Sequence, residues 1–205
     1  MKMHELYGPF SRYFRKLRNA RFISAMSLTS ETSVLDVGGR SQFWNSMPVK
    51  PKVTLLNICK DVNSEFPQIV ASACDIPYPA QSFDIVFSNS TIEHLGTWEN
   101  QKQAAKEMLR VGRQVWVQTP YRWFPVEPHL LTPFIHWFPH KYQRSLLPYT
   151  FWALIVKPSE EHCDSIWKEI RLPDVTEMKT LFPDCQILYE KCGFLIKSLV
   201  AVKRA

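Results

Sequence analysis

Short apolar runs alternating with helical connectors constrain this chain more than any other feature. Ser33-Val34-Leu35-Asp36-Val37, Val53 to Ile58, Ile69 to Ala73, Asp84 to Ser88 and Val115 to Gln118 each read as a buried strand. Between the last two, Asn100 to Val111 holds helix formers with an apolar stripe at Ala104, Ala105, Met108 and Leu109. Near-continuous apolar strands separated by helices imply a parallel sheet covered on both faces, an α/β doubly wound fold. Val175 to Leu181 predicts a short helix. Gln186 to Tyr189 and Phe194 to Val202, turned by Gly193, predict two closing strands in an antiparallel edge hairpin. That makes a seven-stranded, mostly parallel sheet. The length, 205 residues, suits one domain over residues 1–205.

The net charge of +6 invites a nucleic-acid reading until it is located. Residues 1–30 carry Lys2, Arg12, Arg15, Lys16, Arg18 and Arg21 against one acid, Glu5, so this stretch holds five of the six net charges. Phe10, Phe14, Leu17 and Met26 recur among these bases at roughly helical spacing, which predicts an amphipathic helix with a basic face. The rest is nearly neutral. No run reaches the roughly 18 apolar residues a membrane-spanning helix needs. The N-terminus lacks the apolar core and small-residue site of a secretory signal. Five cysteines without close pairing point to reduced thiols and no zinc spacing, so the expectation is a cytoplasmic protein with no metal.

Residues 121–158 break the strand–helix rhythm. They contain 10 of the 27 aromatic residues and 6 of the 15 prolines. Proline forbids one long helix here. The segment follows the fifth strand, over the crevice where such sheets bind ligands, and predicts an aromatic lid.

The first strand ends in Gly38-Gly39, a turn that lets a ligand approach the backbone, but neither a dinucleotide fingerprint nor a P-loop follows. Three further motifs come in order. They are Asp75-Ile76-Pro77-Tyr78-Pro79 with Ser82-Phe83-Asp84-Ile85-Val86, then Glu93-His94-Leu95, then Glu107-Met108-Leu109-Arg110-Val111. Together they resemble the class I S-adenosylmethionine (SAM)-dependent methyltransferases, over about residues 33–120, and most closely the type 11 group. The resemblance implies a Rossmann-like sheet and SAM as cofactor. It implies that Asp36, Gly38 and Gly39 hold the methionine part, Asn57 the ribose, Asp75 and Ile76 the adenine, and that Asn89 and Ser90 line the floor. The chain departs from the family pattern in two places. Arg40 stands where a later glycine is expected, and Asn57 replaces the usual ribose acid.

Methyl transfer to a neutral acceptor needs a group to take a proton, and histidine suits that near neutral pH. His94 follows the fourth strand. Glu127 and His129 form the one Glu–His pair inside the aromatic insertion. These three are the catalytic candidates. The lid favours a small-molecule acceptor that is lipophilic, or linked to a lipid or glycan, and the basic stretch allows peripheral contact with an anionic membrane. The alternatives are an RNA methyltransferase and a methyltransferase-like binding protein that transfers nothing. Asn89-Ser90-Thr91-Ile92 in place of an Asn-Pro-Pro-aromatic turn argues against nucleic acid.

Overall fold

A computed structural model describes residues 16–204. The predicted strands form one seven-stranded sheet in the order β3-β2-β1-β4-β5-β9-β8. Their spans are β1 Ser33–Val37, β2 Lys52–Asn57, β3 Gln68–Val70, β4 Phe83–Asn89, β5 Gly112–Pro120, β8 Gln186–Cys192 and β9 Leu195–Lys203. Strands β1 to β5 pair in parallel, while β9 runs antiparallel to both β5 and β8. The strand direction reverses where a tight turn at Gly193 (φ +61°) replaces a helical crossover.

Side-chain alternation splits each central strand between two cores. Leu35, Val37, Val86, Val115 and Val117 face α3 (Trp98–Val111) and α7 (Val175–Leu181). Val34, Ile85, Phe87 and Trp116 face α1 (residues 16–25) and α2 (Ser41–Asn45). Both faces are covered, which is why these strands carry consecutive apolar residues such as Val34-Leu35, Ile85-Val86-Phe87 and Val115-Trp116-Val117. Helix α3 starts where the Thr97 hydroxyl accepts from the Asn100 amide, and α7 starts with a reciprocal Asp174–Glu177 capping box.

The amphipathic N-terminal helix is present over residues 16–25, but its buried face differs from the predicted stripe: Leu17 is exposed and Arg18 buried, while Phe10 and Phe14 lie outside the described residues. Phe22 is fully buried, with ring centroids 4.7 Å from Phe87 and 5.4 Å from Trp116. Arg18, on the same buried face, is engaged inside the fold. Lys16, Leu17 and Arg21 remain exposed.

The insertion also differs, in extent. It comprises a two-stranded ribbon, β6 (Val126–Glu127) with β7 (Thr132–Pro133), then α4 (His140–Leu146) and α5 (Phe151–Val156). It builds its own small core from Leu130, Ile135, Leu147, Trp152 and Ala153. That core is closed by Cys163 and Ile166 of α6 (Glu160–Glu169), so the unit runs past residue 158. The last Lys157-Pro158 turn is polar and proline-bearing, which ends the aromatic run without ending the packing unit. Trp123, Phe134, Phe138, Tyr149 and Phe151 stay largely exposed on it. No helix among the described residues is long and apolar enough to cross a membrane.

Candidate active site

The carboxyl ends of β1, β2 and β4 meet at the Gly38-Gly39 turn. Gly38 takes a left-handed φ of +77°, and a Cβ there would lie 2.3 Å from the Thr91 hydroxyl. A Cβ on Gly39 would strike the Asp36 carboxylate, so both positions require glycine for the turn to close under that acid. Ser88 and Thr91 both donate to the Val37 carbonyl, pinning the turn to the end of β4. Asn57 donates to the Gly39 carbonyl at 2.8 Å. Asn57, to which the resemblance assigns the ribose, thus spends its amide nitrogen on the loop and keeps its carbonyl oxygen as an acceptor.

Asp36 is buried. The Trp44 indole donates to Oδ2 at 2.6 Å, and Oδ1 has no partner. Burial pushes its pKa up to about 7, against the indole hydrogen bond that lowers it. Asp75 is exposed at the rim. Ile76 is not at the rim: its side chain lies in the main core and its amide donates to Glu107. Asn89 accepts from Arg18 at 2.5 Å, and Arg18 also makes a bidentate pair with Glu190 of β8, both bonds 2.8 Å. Ser90 holds a left-handed φ of +57°, fixed by bonds from its amide and hydroxyl to Gln118 of β5. Strained backbone in a non-glycine residue at this strand end is characteristic of ligand sites.

The catalytic candidates come together one step further along the sheet. A 3-10 turn, Ile92–Leu95, carries Glu93 and His94 beside β5. His129, on the loop between β6 and β7, stacks edge-on against His94 with ring centroids 4.7 Å apart. Glu127 accepts from His129 Nδ1 at 2.6 Å and from the Leu130 amide at 2.6 Å. Glu169 of α6 accepts from His94 Nδ1 at 2.8 Å. Each carboxylate selects the tautomer that leaves Nε2 as an open lone pair. Glu93 is fully buried. Thr119 donates to its Oε2 at 3.0 Å, while Oε1 lacks a partner and lies 4.0 Å from His129 Nε2. Burial raises the Glu93 pKa despite the neighbouring imidazoles. For His129, burial alone would lower the pKa. The Glu127 hydrogen bond, with the charges of Glu127, Glu93 and Glu169, raises it instead.

Glu127 also walls a cavity of about 340 Å³ between the insertion and the body, lined by Leu130, Ile135, His136, Leu147, Trp167 and Arg171. His136 is buried there, with Nε2 bonded to the Phe124 carbonyl at 2.8 Å and its ring edge-on to Trp137.

Sequence reasoning missed four residues of this region: Trp44, Arg18, Glu169 and Glu93. The first three act across 8, 71 and 75 positions on their partners Asp36, Asn89 and His94. Glu93 carried a signal, being part of the Glu-His-Leu motif. Nothing in the sequence says that this acid rather than Glu127 is the wholly buried one next to both imidazoles.

A glycine turn under a buried acid after β1, on a sheet of this strand order with an antiparallel edge, defines a class I methyltransferase fold. Residues 36–114 match the family model described as a methyltransferase domain, and the chain has the Rossmann-like fold of the SAM-dependent methyltransferases. A tRNA (carboxymethyluridine(34)-5-O)-methyltransferase of Arabidopsis thaliana is 28% identical over 120 residues, covering 53% of this chain and 29% of that protein. The chain therefore spans less than a third of that relative's length. Among solved structures, the fold is similar to that of the PH0226 protein of Pyrococcus horikoshii, with a TM-score of 0.56 and 18% identity over 94% of this chain and 89% of that one. It is also similar to a SAM-dependent methyltransferase of Methanosarcina mazei, with a TM-score of 0.50 and 14% identity over 85% and 92% of the two chains. At such identities the likeness is one of fold.

The residues present fit SAM. The orphaned, buried Asp36 Oδ1 beside the glycine turn is an acceptor waiting for a cationic donor, which the ammonium of the methionine part supplies. The free carbonyl of Asn57 and the exposed carboxylate of Asp75 offer acceptors for hydroxyl and amine groups.

Proposed function

We propose that the protein transfers a methyl group from SAM to a small, largely apolar acceptor, a lipid-linked molecule included. One observation carries this reading. The Glu127–His129 pair presents an open Nε2 at the carboxyl end of the sheet, and Glu127 itself forms part of the wall of the cavity, beside Leu130, Ile135 and Leu147. SAM supplies an activated methyl on a sulfonium. Asp36, Gly38, Gly39, Asn57 and Asp75 would hold it. The chain's own work is then to orient the acceptor, exclude water and take a proton. Glu127 fixes the His129 ring and stabilises the imidazolium formed when Nε2 takes the acceptor's proton. The insertion's aromatic and aliphatic side chains exclude water and favour an apolar acceptor body. Positioning of this kind supplies up to ~7–11 kcal/mol of barrier reduction.

The direct test is to incubate the protein with SAM labelled in its methyl group and either a lipid extract or a tRNA pool. Label recovered in the organic phase supports the lipophilic acceptor. Label recovered in the RNA supports the second reading, which the tRNA-modifying relative favours. Label in neither, with no heat of SAM binding at high micromolar concentration, rejects both.

A further inference from the structure

The Glu93, His94 and His129 cluster has a property that proton transfer alone does not use. One ligand atom from each of the three residues lies within 4.8 Å of the other two. Each imidazole has its Nδ1 committed to a carboxylate, His129 to Glu127 and His94 to Glu169. Metal-bound histidines are held in this way: the outer carboxylate fixes the ring and tautomer and makes the other nitrogen more basic. The third member, Glu93, is fully buried with Oε1 unpartnered, and His129 Nε2 at 4.0 Å is beyond hydrogen-bond length. A buried carboxylate oxygen with no donor is costly unless a cation meets it.

The geometry points to a divalent transition-metal site made by Glu93, His94 and His129, with at least one coordination position left for an oxygen-bearing ligand. Two imidazoles and one carboxylate suit zinc, manganese, iron or cobalt. Magnesium and calcium prefer oxygen-only shells. Bonds of about 2.0–2.1 Å to a tetrahedral ion set ligand atoms about 3.4 Å apart, so small side-chain rotations close the observed spacing. The two outer carboxylates are then part of the site. An ion here would occupy the His129 Nε2 lone pair, so in the metal-bound protein that nitrogen is not the base; the ion would instead act as a Lewis acid on a bound hydroxyl or water, lowering its pKa. Ion binding is read directly and stands whether or not methyl transfer is found.

Titrating the whole, metal-stripped protein with cobalt(II) and following the visible ligand-field bands tests this. One equivalent should bind without a sulfur-to-cobalt charge-transfer band, which separates this site from the five free cysteines. Zinc should displace the cobalt, and a large excess of magnesium should not. Glu93→Gln keeps the side-chain shape and the Thr119 contact and should weaken binding at least tenfold. His94→Ala, at a partly exposed position, gives a second ligand variant, and Glu169→Gln should weaken binding ~10–100-fold through the outer shell. Far-ultraviolet circular dichroism shows whether each variant is folded. The proposal is overturned if the wild type gives no ligand-field band, if the band carries sulfur charge transfer, or if folded Glu93→Gln and His94→Ala bind as the wild type does.

Discussion

Two buried carboxylates sit at the carboxyl ends of this sheet, and their surroundings differ. Asp36 ends the central strand β1 and Glu93 follows its neighbour β4. Each has one oxygen held by a neutral donor, the Trp44 indole or the Thr119 hydroxyl, and one oxygen with no partner. Around Asp36 stand the Trp44 indole and the glycine turn, with no imidazole bonded to it among the described residues. Around Glu93 two imidazoles converge, each backed by a further acid. The first arrangement awaits a positive charge brought by a ligand. The second brings its own proton carriers and lone pairs. On the proposed function, one end of the crevice binds and the other reacts; Arg18 ties Asn89 of β4 to Glu190 of β8.

The sharpest way to separate the two regions is His129→Ala. If the Glu93 region does the chemistry, turnover falls ~10²–10⁴-fold while SAM affinity, measured calorimetrically, changes little. Equal losses in both would erase the distinction. Arg18→Ala comes next. Removing one partner of the largely buried Arg18–Glu190 pair costs about 3–5 kcal/mol in denaturant unfolding, and the double change to methionine at both positions costs less.

Asp36→Asn should weaken SAM binding about 10–100-fold, the worth of a charge-assisted hydrogen bond of ~1.5–3 kcal/mol. Because the Asp36 pKa lies near 7, a cationic ligand must displace its proton at lower pH. Wild-type affinity should therefore climb as pH rises toward 7 and level off above it. In Asp36→Asn that slope should vanish.

The same substitution also acts on stability without ligand. The folded-state pKa of about 7 lies above the ordinary 3.8, so the folded protein holds this proton more tightly than the unfolded chain. The group's penalty is absent below about pH 4, grows between pH 4 and 7, and is constant above. Thermal melts of Asp36→Asn should match the wild type at pH 4. At pH 8 they should exceed it by about 10 °C, since the pKa rise from 3.8 to about 7 is worth ~4 kcal/mol and a chain of this size shifts about 2–4 °C per kcal/mol.

Much of the fold was legible. Ser33–Val37 and Val175–Leu181 fall where the pattern put them, because apolar runs between turn residues and a periodic stripe after a capping acid are local signals. The basic N-terminal helix was legible as amphipathic, but not the burial of Arg18. Its pattern shows that one face is polar but not what the other face meets, which is Phe87 and Trp116, 65 and 94 residues on. Ile76 sits in a motif associated with adenine contact yet packs inward, since a motif gives order along the chain and not direction of a side chain. The insertion's boundary was short for a related reason: α6 is amphipathic like any surface helix, and only packing reveals that Cys163 and Ile166 close the insertion's core.

The sequence by itself determined a doubly wound sheet, its antiparallel edge, and a glycine turn under an acid at the end of the first strand. All of these follow from periodicity and turn chemistry within a few residues. Only the tertiary structure decided that Glu93 meets His129 across 36 positions, that Glu169 steadies His94, and that Arg18 is a buried strut rather than a surface charge. Those are contacts of high sequence separation. They exist because the chain returns on itself over the sheet, and burial then sets which acids keep an unmatched oxygen.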